Sequence, residues 1–254
     1  MVKKYVVFDL DETLGFFTEL GVIWNCLETV SNASGQKSFN ELCRVFEKDY
    51  FRPGIFNSMR FLKEQGNDLK VVLYTNNTGS LTWLKLILQY IEDRIGANGI
   101  FHKIVPGYRP DMKGKYARTS FNKTYSEIIR CADIPSDAKI IFFDDLNHEQ
   151  MIHPNVTYVK VTPFFKPLHP TYIIEKLQNS YFRLIDYNSC SYIYSCIHNF
   201  HNNYVSHHKR SSCGSNDDII EPLRIFLNNR KMTKKKRVDK SKRSKTRKIS
   251  YTNE

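Results

Sequence analysis

Three short apolar runs in this chain end in oxygen-bearing side chains, and this repetition constrains the fold more than any other feature. Tyr5 to Phe8 runs into Asp9, Asp11 and Glu12; Leu69 to Tyr74 ends at Thr75 and two asparagines; Ile140 to Phe143 runs into Asp144 and Asp145. Runs of this length, rich in β-branched and aromatic residues, read as strands. In a parallel α/β sheet the carboxyl ends of the strands share one edge, and ligands bind there. Asp9 and Asp11 stand two apart, a spacing that points both side chains to the same side of an extended chain.

Helical patterns separate the strands. Residues 15 to 51 are mixed, with a helix expected around Phe39 to Glu47, and Arg52-Pro53-Gly54 then punctuates the chain. Ile55, Met59 and Leu62 recur at helical spacing before Gly66, so 55 to 65 reads as a helix. Ser80 is placed to cap a second helix, with Leu81, Leu84, Leu88 and Ile91 on one stripe and a stop near Gly96. Lys123 to Ala132 and Tyr172 to Leu177 read as further helices, and Ile100 to Val105 and Val156 to Val161 as further strands. The alternation predicts βαβ units, hence an α/β fold with a mostly parallel sheet flanked by helices. That domain spans 1–178. A C-terminal extension, 179–229, is rich in Asn, Ser, Tyr and His without clear periodicity, apart from a short amphipathic helix expected over Ile219 to Leu227; a basic tail, 230–254, follows.

The formal charge of +12 belongs to that tail, which holds twelve Lys and Arg against Asp239 and Glu254. With few apolar residues to bury, it is expected to be disordered in isolation. It would attract phosphate backbones in a salt-dependent way, as a nonspecific nucleic-acid contact or an import signal. It lacks the interleaved aromatics that stack on single strands. The 41% hydrophobic and 25% charged composition is that of an ordinary globular protein. No apolar stretch approaches the roughly 20 residues of a membrane span, and Met1 to Phe8 has no secretory h-region, so no membrane partner and an intracellular, nuclear or cytoplasmic location are expected. The six cysteines include no CxxC pair, which favours free thiols. Cys190, Cys196, His198, His201, His207, His208 and Cys213 fit no standard zinc-finger spacing and read as part of a loop-like extension.

Carboxylates from two strands gathered at one edge repel one another unless a positive charge sits among them. A hard, oxygen-seeking cation such as Mg²⁺ answers that need, and would also offset the repulsion between an anionic phosphate and an attacking carboxylate. A carboxylate nucleophile divides one difficult displacement into two easier ones through an acyl phosphate.

Phe8-Asp9-Leu10-Asp11-Glu12-Thr13-Leu14 resembles motif I (DxDxT) of the haloacid dehalogenase (HAD) superfamily, in the DLDETL form of its FCP/SCP branch, which includes the phosphatases of the RNA polymerase II C-terminal domain and the NLI-interacting-factor-like proteins. Arg52-Pro53-Gly54 resembles the branch's RPG segment, Leu73-Tyr74-Thr75-Asn76 its motif II, and Phe143-Asp144-Asp145 with His153-Pro154 its motif IV and trailing segment. The likeness covers roughly residues 4 to 178 in the family's motif order. The resemblance implies a HAD-like Rossmannoid fold and a Mg²⁺-dependent phosphatase acting on phosphoserine or phosphothreonine in protein, with the polymerase tail as a candidate partner. The Asn-, Ile- and Lys-rich composition suggests a member from a large DNA virus.

By that resemblance Asp9 is the nucleophile and a metal ligand. Asp11 is general acid and then base, its carbonyl completing a metal site with Asp144 and Asp145. Thr75 and Asn76 bind the phosphoryl oxygens. Motif III supplies a lysine, for which Lys113, Lys115 and Lys123 are candidates; Lys139 begins the fourth strand, at the wrong end of the sheet. Lys123 opens the helix leading into that strand, where the family places its lysine, and is chosen, although it precedes Asp144 by 21 residues and Lys115 stays in play. Asp145 stands where the branch often has Asn. Arg52 is expected to serve structure first. Two other readings compete: a phosphatase for nucleotides, small phosphate esters or nucleic-acid ends, for which DLDGT is the more usual motif, and a catalytically idle phosphate-binding module. The intact Asp9, Asp11, Thr75 and Asp144 argue against the latter.

Overall fold

Alternation along each strand decides which layer a residue joins. A computed structural model describes residues 3–31, 33–66, 69–182, 186–207, 212, 214–215 and 217–228, so the basic tail, His208 and Cys213 lie outside the described residues. Five strands, β1 (Lys4–Phe8), β2 (Lys70–Tyr74), β3 (Phe101–Val105), β4 (Lys139–Asp144) and β5 (Val156–Lys160), pair in parallel in the order β3-β2-β1-β4-β5. Val6, Phe8, Val71, Leu73, Ile141 and Phe143 face one layer, and Tyr5, Val7, Val72, Tyr74, Ile140 and Phe142 the other. The fold is the expected α/β architecture, a parallel sheet flanked by helices.

The first layer is thick. It contains α1 (Phe17–Val30), α2 (Gly35–Tyr50), α3 (Ile55–Lys63), α4 (Leu81–Ile95), α6 (Pro170–Gln178), α7 (Tyr187–Asn203) and α8 (Asp217–Leu227). The second layer is α5 (Tyr125–Ala132), which buries Ile128, Cys131 and Ala132 against the sheet. Ser80 accepts from the Trp83 amide to start α4, Thr124 accepts from the Glu127 amide to start α5, and Gly96 ends α4 in the left-handed conformation.

Three helices differ from the sequence reading. The stretch 15 to 51 holds two helices, α1 and α2. The first lacks a side-chain cap, which hides its start, but Leu20, Ile23, Trp24 and Leu27 bury one face of it. The Asn-, Ser- and Tyr-rich extension, read without periodicity, contains the 17-residue α7. Its own propensity is weak. It is held by Ile193 and Ile197, both fully buried in the core beside α1.

Two buried polar hubs fix the loops at the strand ends. Arg52, 1% exposed, points its guanidinium under the loop after β1: Nε donates to the Thr13 carbonyl at 2.5 Å, and Nη2 donates to the carbonyls of Glu12 at 2.8 Å and Thr162 at 2.5 Å. Asp218 of α8 lies 3.4 Å from Nη1. Glu127 of α5 is the second hub. It accepts from the Thr119 amide and hydroxyl, from Arg118 Nε at 3.2 Å and from the Tyr74 hydroxyl at 3.3 Å. Arg118 in turn donates to the Thr75 carbonyl at 3.0 Å, so α5 ties down the loop after β2. Burial pushes the Glu127 carboxyl up, but the bonds from Thr119 and Arg118 outweigh it and hold the group below its ordinary 4.5.

Arg52→Leu strands three carbonyls and is expected to lower unfolding free energy by about 3 kcal/mol or more in urea titrations. Arg52→Lys should recover little, because a single ammonium cannot reproduce the planar fork; a loss within about 0.5 kcal/mol for either variant would contradict this role. For Glu127, a depressed pKa means that its contribution to stability is present above the unfolded-state value and is lost as pH falls through the folded-state value. The stability advantage of wild type over Glu127→Gln should therefore shrink between about pH 6 and about pH 3 in thermal melts, whereas a constant gap would refute it.

Candidate active site

β1 and β4 are neighbours in the sheet, and the chain winds outward from them in opposite directions, so the crevice beyond their carboxyl ends is the topological switch point where α/β sheets bind ligands. Phe8 pairs with Phe143, and the Asp9 amide donates to the Phe143 carbonyl at 2.9 Å, which brings Asp9 level with Asp144. The apolar runs beneath are buried and their rings stack, Phe8 on Phe143 with centroids 5.0 Å apart. The carboxylates are thus presented by a rigid floor.

Lys123 lies between them. Its Nζ is 2.6 Å from Asp9 Oδ1 and 2.7 Å from Asp144 Oδ2, and the side chain is 2% exposed. Thr124 caps α5, and Lys123, the residue before that cap, is aimed into the crevice. His148 Nε2 reaches Asp144 Oδ2 at 3.3 Å, and the Leu146 amide donates to Asp144 Oδ1 at 2.8 Å. Burial alone would raise the Asp144 carboxyl; His148 and Lys123 together hold it below the ordinary range. Asp9 is raised, first by burial and then by the charge of Asp144, with Lys123 opposing. Asp145 is pushed up to about 7 by burial and by repulsion from Asp9 and Asp144, and its Oδ1 accepts from the Thr13 hydroxyl at 3.2 Å.

Asp11 is half-buried on the other side of Asp9. Asn77 Nδ2 donates to its Oδ2 at 2.7 Å and the Thr18 hydroxyl to its Oδ1 at 3.4 Å. Burial pushes its carboxyl up to about 7; the Asn77 bond opposes this, and the charges of Asp9 and Glu12 add to it. Thr75 is 1% exposed, with its hydroxyl accepting from the Asn77 amide at 3.0 Å.

The structure brings Asp9, Lys123, Asp144 and Asp145 into one cluster, and Asn77 links Asp11 to Thr75 beside it. Asn76 departs from expectation. It is exposed, and its amide oxygen accepts from Arg118 at 2.6 Å because Glu127 holds that guanidinium alongside; Asn77, its neighbour, is the one that reaches Asp11. Lys115 is exposed and 3.7 Å from Asp133, away from the carboxylates. Lys139 opens β4 and donates to Asn155 Oδ1. His153 stacks on Tyr125 with centroids 3.6 Å apart. His148 and Asn77 went unmarked in the sequence, and their only signal was proximity, four residues after Asp144 and two after Thr75. Among the former zinc candidates, His201 pairs with the buried Glu19.

Asp9, Asp144 and Asp145 each offer one oxygen, all within 4.8 Å of one another, the one such group among the described residues. Every donor is a hard carboxylate, and with Asp11 alongside the cluster carries more negative charge than the Lys123 ammonium neutralises. The repulsion that raises Asp145 is what a bound divalent cation would relieve. The residues therefore fit Mg²⁺.

No family model matches the sequence, and no curated protein matches it. Among solved structures, the HAD domain of the effector protein Lem4 from Legionella pneumophila is similar over 72% of this chain and 98% of that one, with 15% identity and a TM-score of 0.42. At that score the likeness carries no weight for the chemistry, which rests on the residues of the site.

Proposed function

We propose that this chain is a phosphomonoesterase of the HAD type in which Asp9 is the nucleophile. The observation that carries this reading is the shared ammonium: Lys123 bridges Asp9 and Asp144 at 2.6 and 2.7 Å at the switch point of a parallel sheet. A lysine held there is positioned to transfer its contact from the carboxylates to an incoming phosphoryl oxygen. Thr75, fixed at the end of β2, supplies a hydroxyl at the same edge of the sheet.

In the first step an Asp9 carboxylate oxygen attacks phosphorus, and the bond from phosphorus to the ester oxygen breaks. Asp11 gives its proton to that leaving oxygen. Thr18 and Asn77 hold the Asp11 carboxyl in place, so the proton is delivered from a fixed position. In the second step Asp11, now ionised, takes a proton from water as the water oxygen attacks phosphorus; the bond between phosphorus and Asp9 breaks, and phosphate leaves. Asp9, Asp144 and Asp145, with the Asp11 carbonyl, would hold Mg²⁺, which when bound neutralises charge between phosphate and carboxylate. His148 keeps Asp144 ionised and oriented.

The sequence resemblance to the FCP/SCP branch extends the reading to phosphoserine and phosphothreonine in protein, with an RNA polymerase tail as one candidate substrate. The basic tail adds a salt-sensitive attraction for nucleic acid.

Wild type is expected to hydrolyse p-nitrophenyl phosphate only with added Mg²⁺. Asp9→Asn, nearly isosteric, should lose roughly three orders of magnitude or more in kcat while its circular dichroism spectrum stays that of the wild type. Turnover that persists in the Asp9→Asn protein, or that ignores chelation by EDTA, would exclude the mechanism.

A further inference from the structure

A groove of about 350 Å³ opens beside Asp11, between α1 and α4. Its inner end is formed by Thr18 and Asn77, the two residues that hydrogen-bond Asp11, so it begins where the leaving group departs. Along α1, Thr18, Gly21, Asn25 and Glu28 form a stripe at helical spacing. Trp83 forms the facing wall. A Cβ on Gly21 would lie 3.2 Å from the Trp83 ring, so the missing side chain is what lets the indole lie close to α1. Trp83 is half-buried, backed by Phe39 and then Trp24 in edge-to-face contacts at 5.5 and 5.2 Å. The groove has a rigid aromatic side.

Its charge is one-sided. No Lys, Arg or His lines it, and its one carboxylate is the exposed Glu28 at the outer end. Across the site, three cations of the loop between β3 and α5 are matched, Arg109 with Asp111, Lys115 with Asp133 and Arg118 with Glu127, while Lys113 is exposed on the same loop. A nucleotide or a nucleic-acid end, with phosphate on successive units, would be repelled along this groove. A neutral or cationic polymer would not.

We infer that the groove takes the polypeptide flank of a phosphorylated residue and that Glu28 selects a Lys or Arg within it. This deepens the phosphatase reading and rests on it. The ten-residue step from Thr18 to Glu28 spans about 15 Å of helix, which is the reach of about four to five residues of extended chain. The selected cation therefore lies four or five residues from the phosphorylated one, with the side chains between them packed on Trp83.

The test uses the full chain with Mg²⁺ and phosphoserine peptides that differ only in having Lys, Ala or Glu four or five residues to either side. The readout is the ratio of kcat/KM for the Lys and Glu peptides, which cancels any loss of folded enzyme. A preference for Lys of about fivefold is expected in wild type, fading in about 0.5 M salt, absent in Glu28→Gln and reversed in Glu28→Lys. Binding of the same peptides to the Asp9→Asn protein, followed by fluorescence, gives a readout that needs no turnover; Trp24 and Trp83 both line the groove, and with Trp24 only 3% exposed the larger part of the change is expected from Trp83 and should be lost in Trp83→Phe. A ratio near one in wild type that Glu28→Lys leaves unmoved overturns the inference, as does faster turnover of a 3′-phosphorylated oligonucleotide than of every peptide. Absence of p-nitrophenyl phosphate turnover would instead defeat the phosphatase reading, and the fluorescence titration would still decide the groove: equal affinities for Lys and Glu peptides reject it.

Discussion

The ammonium of Lys123, shared by Asp9 and Asp144, is the interaction around which the site is organised. Four carboxyl groups converge at the ends of β1 and β4, and bringing them out of water into mutual contact is unfavourable twice, through lost hydration and through repulsion. A buried cation offsets part of both. It cannot neutralise all four, and burial together with the remaining repulsion raises the Asp11 and Asp145 carboxyls. A site built this way keeps a standing affinity for positive charge while presenting an oxygen of Asp9 to whatever anion that charge attracts.

Such a crowded arrangement needs loops that cannot relax outward. The loop after β1 is held from below by the Arg52 guanidinium, and the loop after β2 by Arg118, itself held by Glu127. Both anchors bind backbone carbonyls of these loops, and Arg118 also donates to the Asn76 side chain. The positions of Asp9, Asp11 and Thr75 are thereby set by chain geometry, which leaves their own oxygens for chemistry and for the local bonds from Asn77 and Thr18. Rigidity in the supporting shell and unsatisfied charge in the inner one are consequences of the same design.

The strand ends were legible in the sequence because apolar runs that stop at carboxylates carry two signals at once, period and chemistry. Asp9, Asp144 and Asp145 follow from that pattern alone. Lys123 was harder, since one lysine among three nearby gains its meaning from the cap that starts α5 and from a reach across 21 residues. Asn76 and Asn77 are indistinguishable to a sequence reading, because which amide turns toward Asp11 depends on Arg118 occupying the other. α1 and α7 were hidden for a different reason. Neither has strong local propensity or an obvious pair of caps along its whole length, and each is helical because the other covers it, a tertiary effect that no window of residues contains.

That mutual cover gives the extension a place in the chemistry. α7 packs on α1, whose first turn carries Thr18 against Asp11 and whose buried Glu19 bonds the Tyr50 hydroxyl, the Leu168 amide and His201 of α7. α8 sends Asp218 to Arg52, and Lys4 at the start of β1 donates to the carbonyls of Phe226 and Leu227 at its other end. Residue 214, just before α8, is a glycine because a Cβ there would fall 1.6 Å from the Arg52 guanidinium. Segments beyond the fifth strand therefore press on both supports of the first loop, the guanidinium beneath it and the helix that orients Asp11. Asp9 and Asp11 are positioned by a core closed only when the extension is folded onto the sheet, so the structural unit that holds them runs past residue 178 to the end of α8.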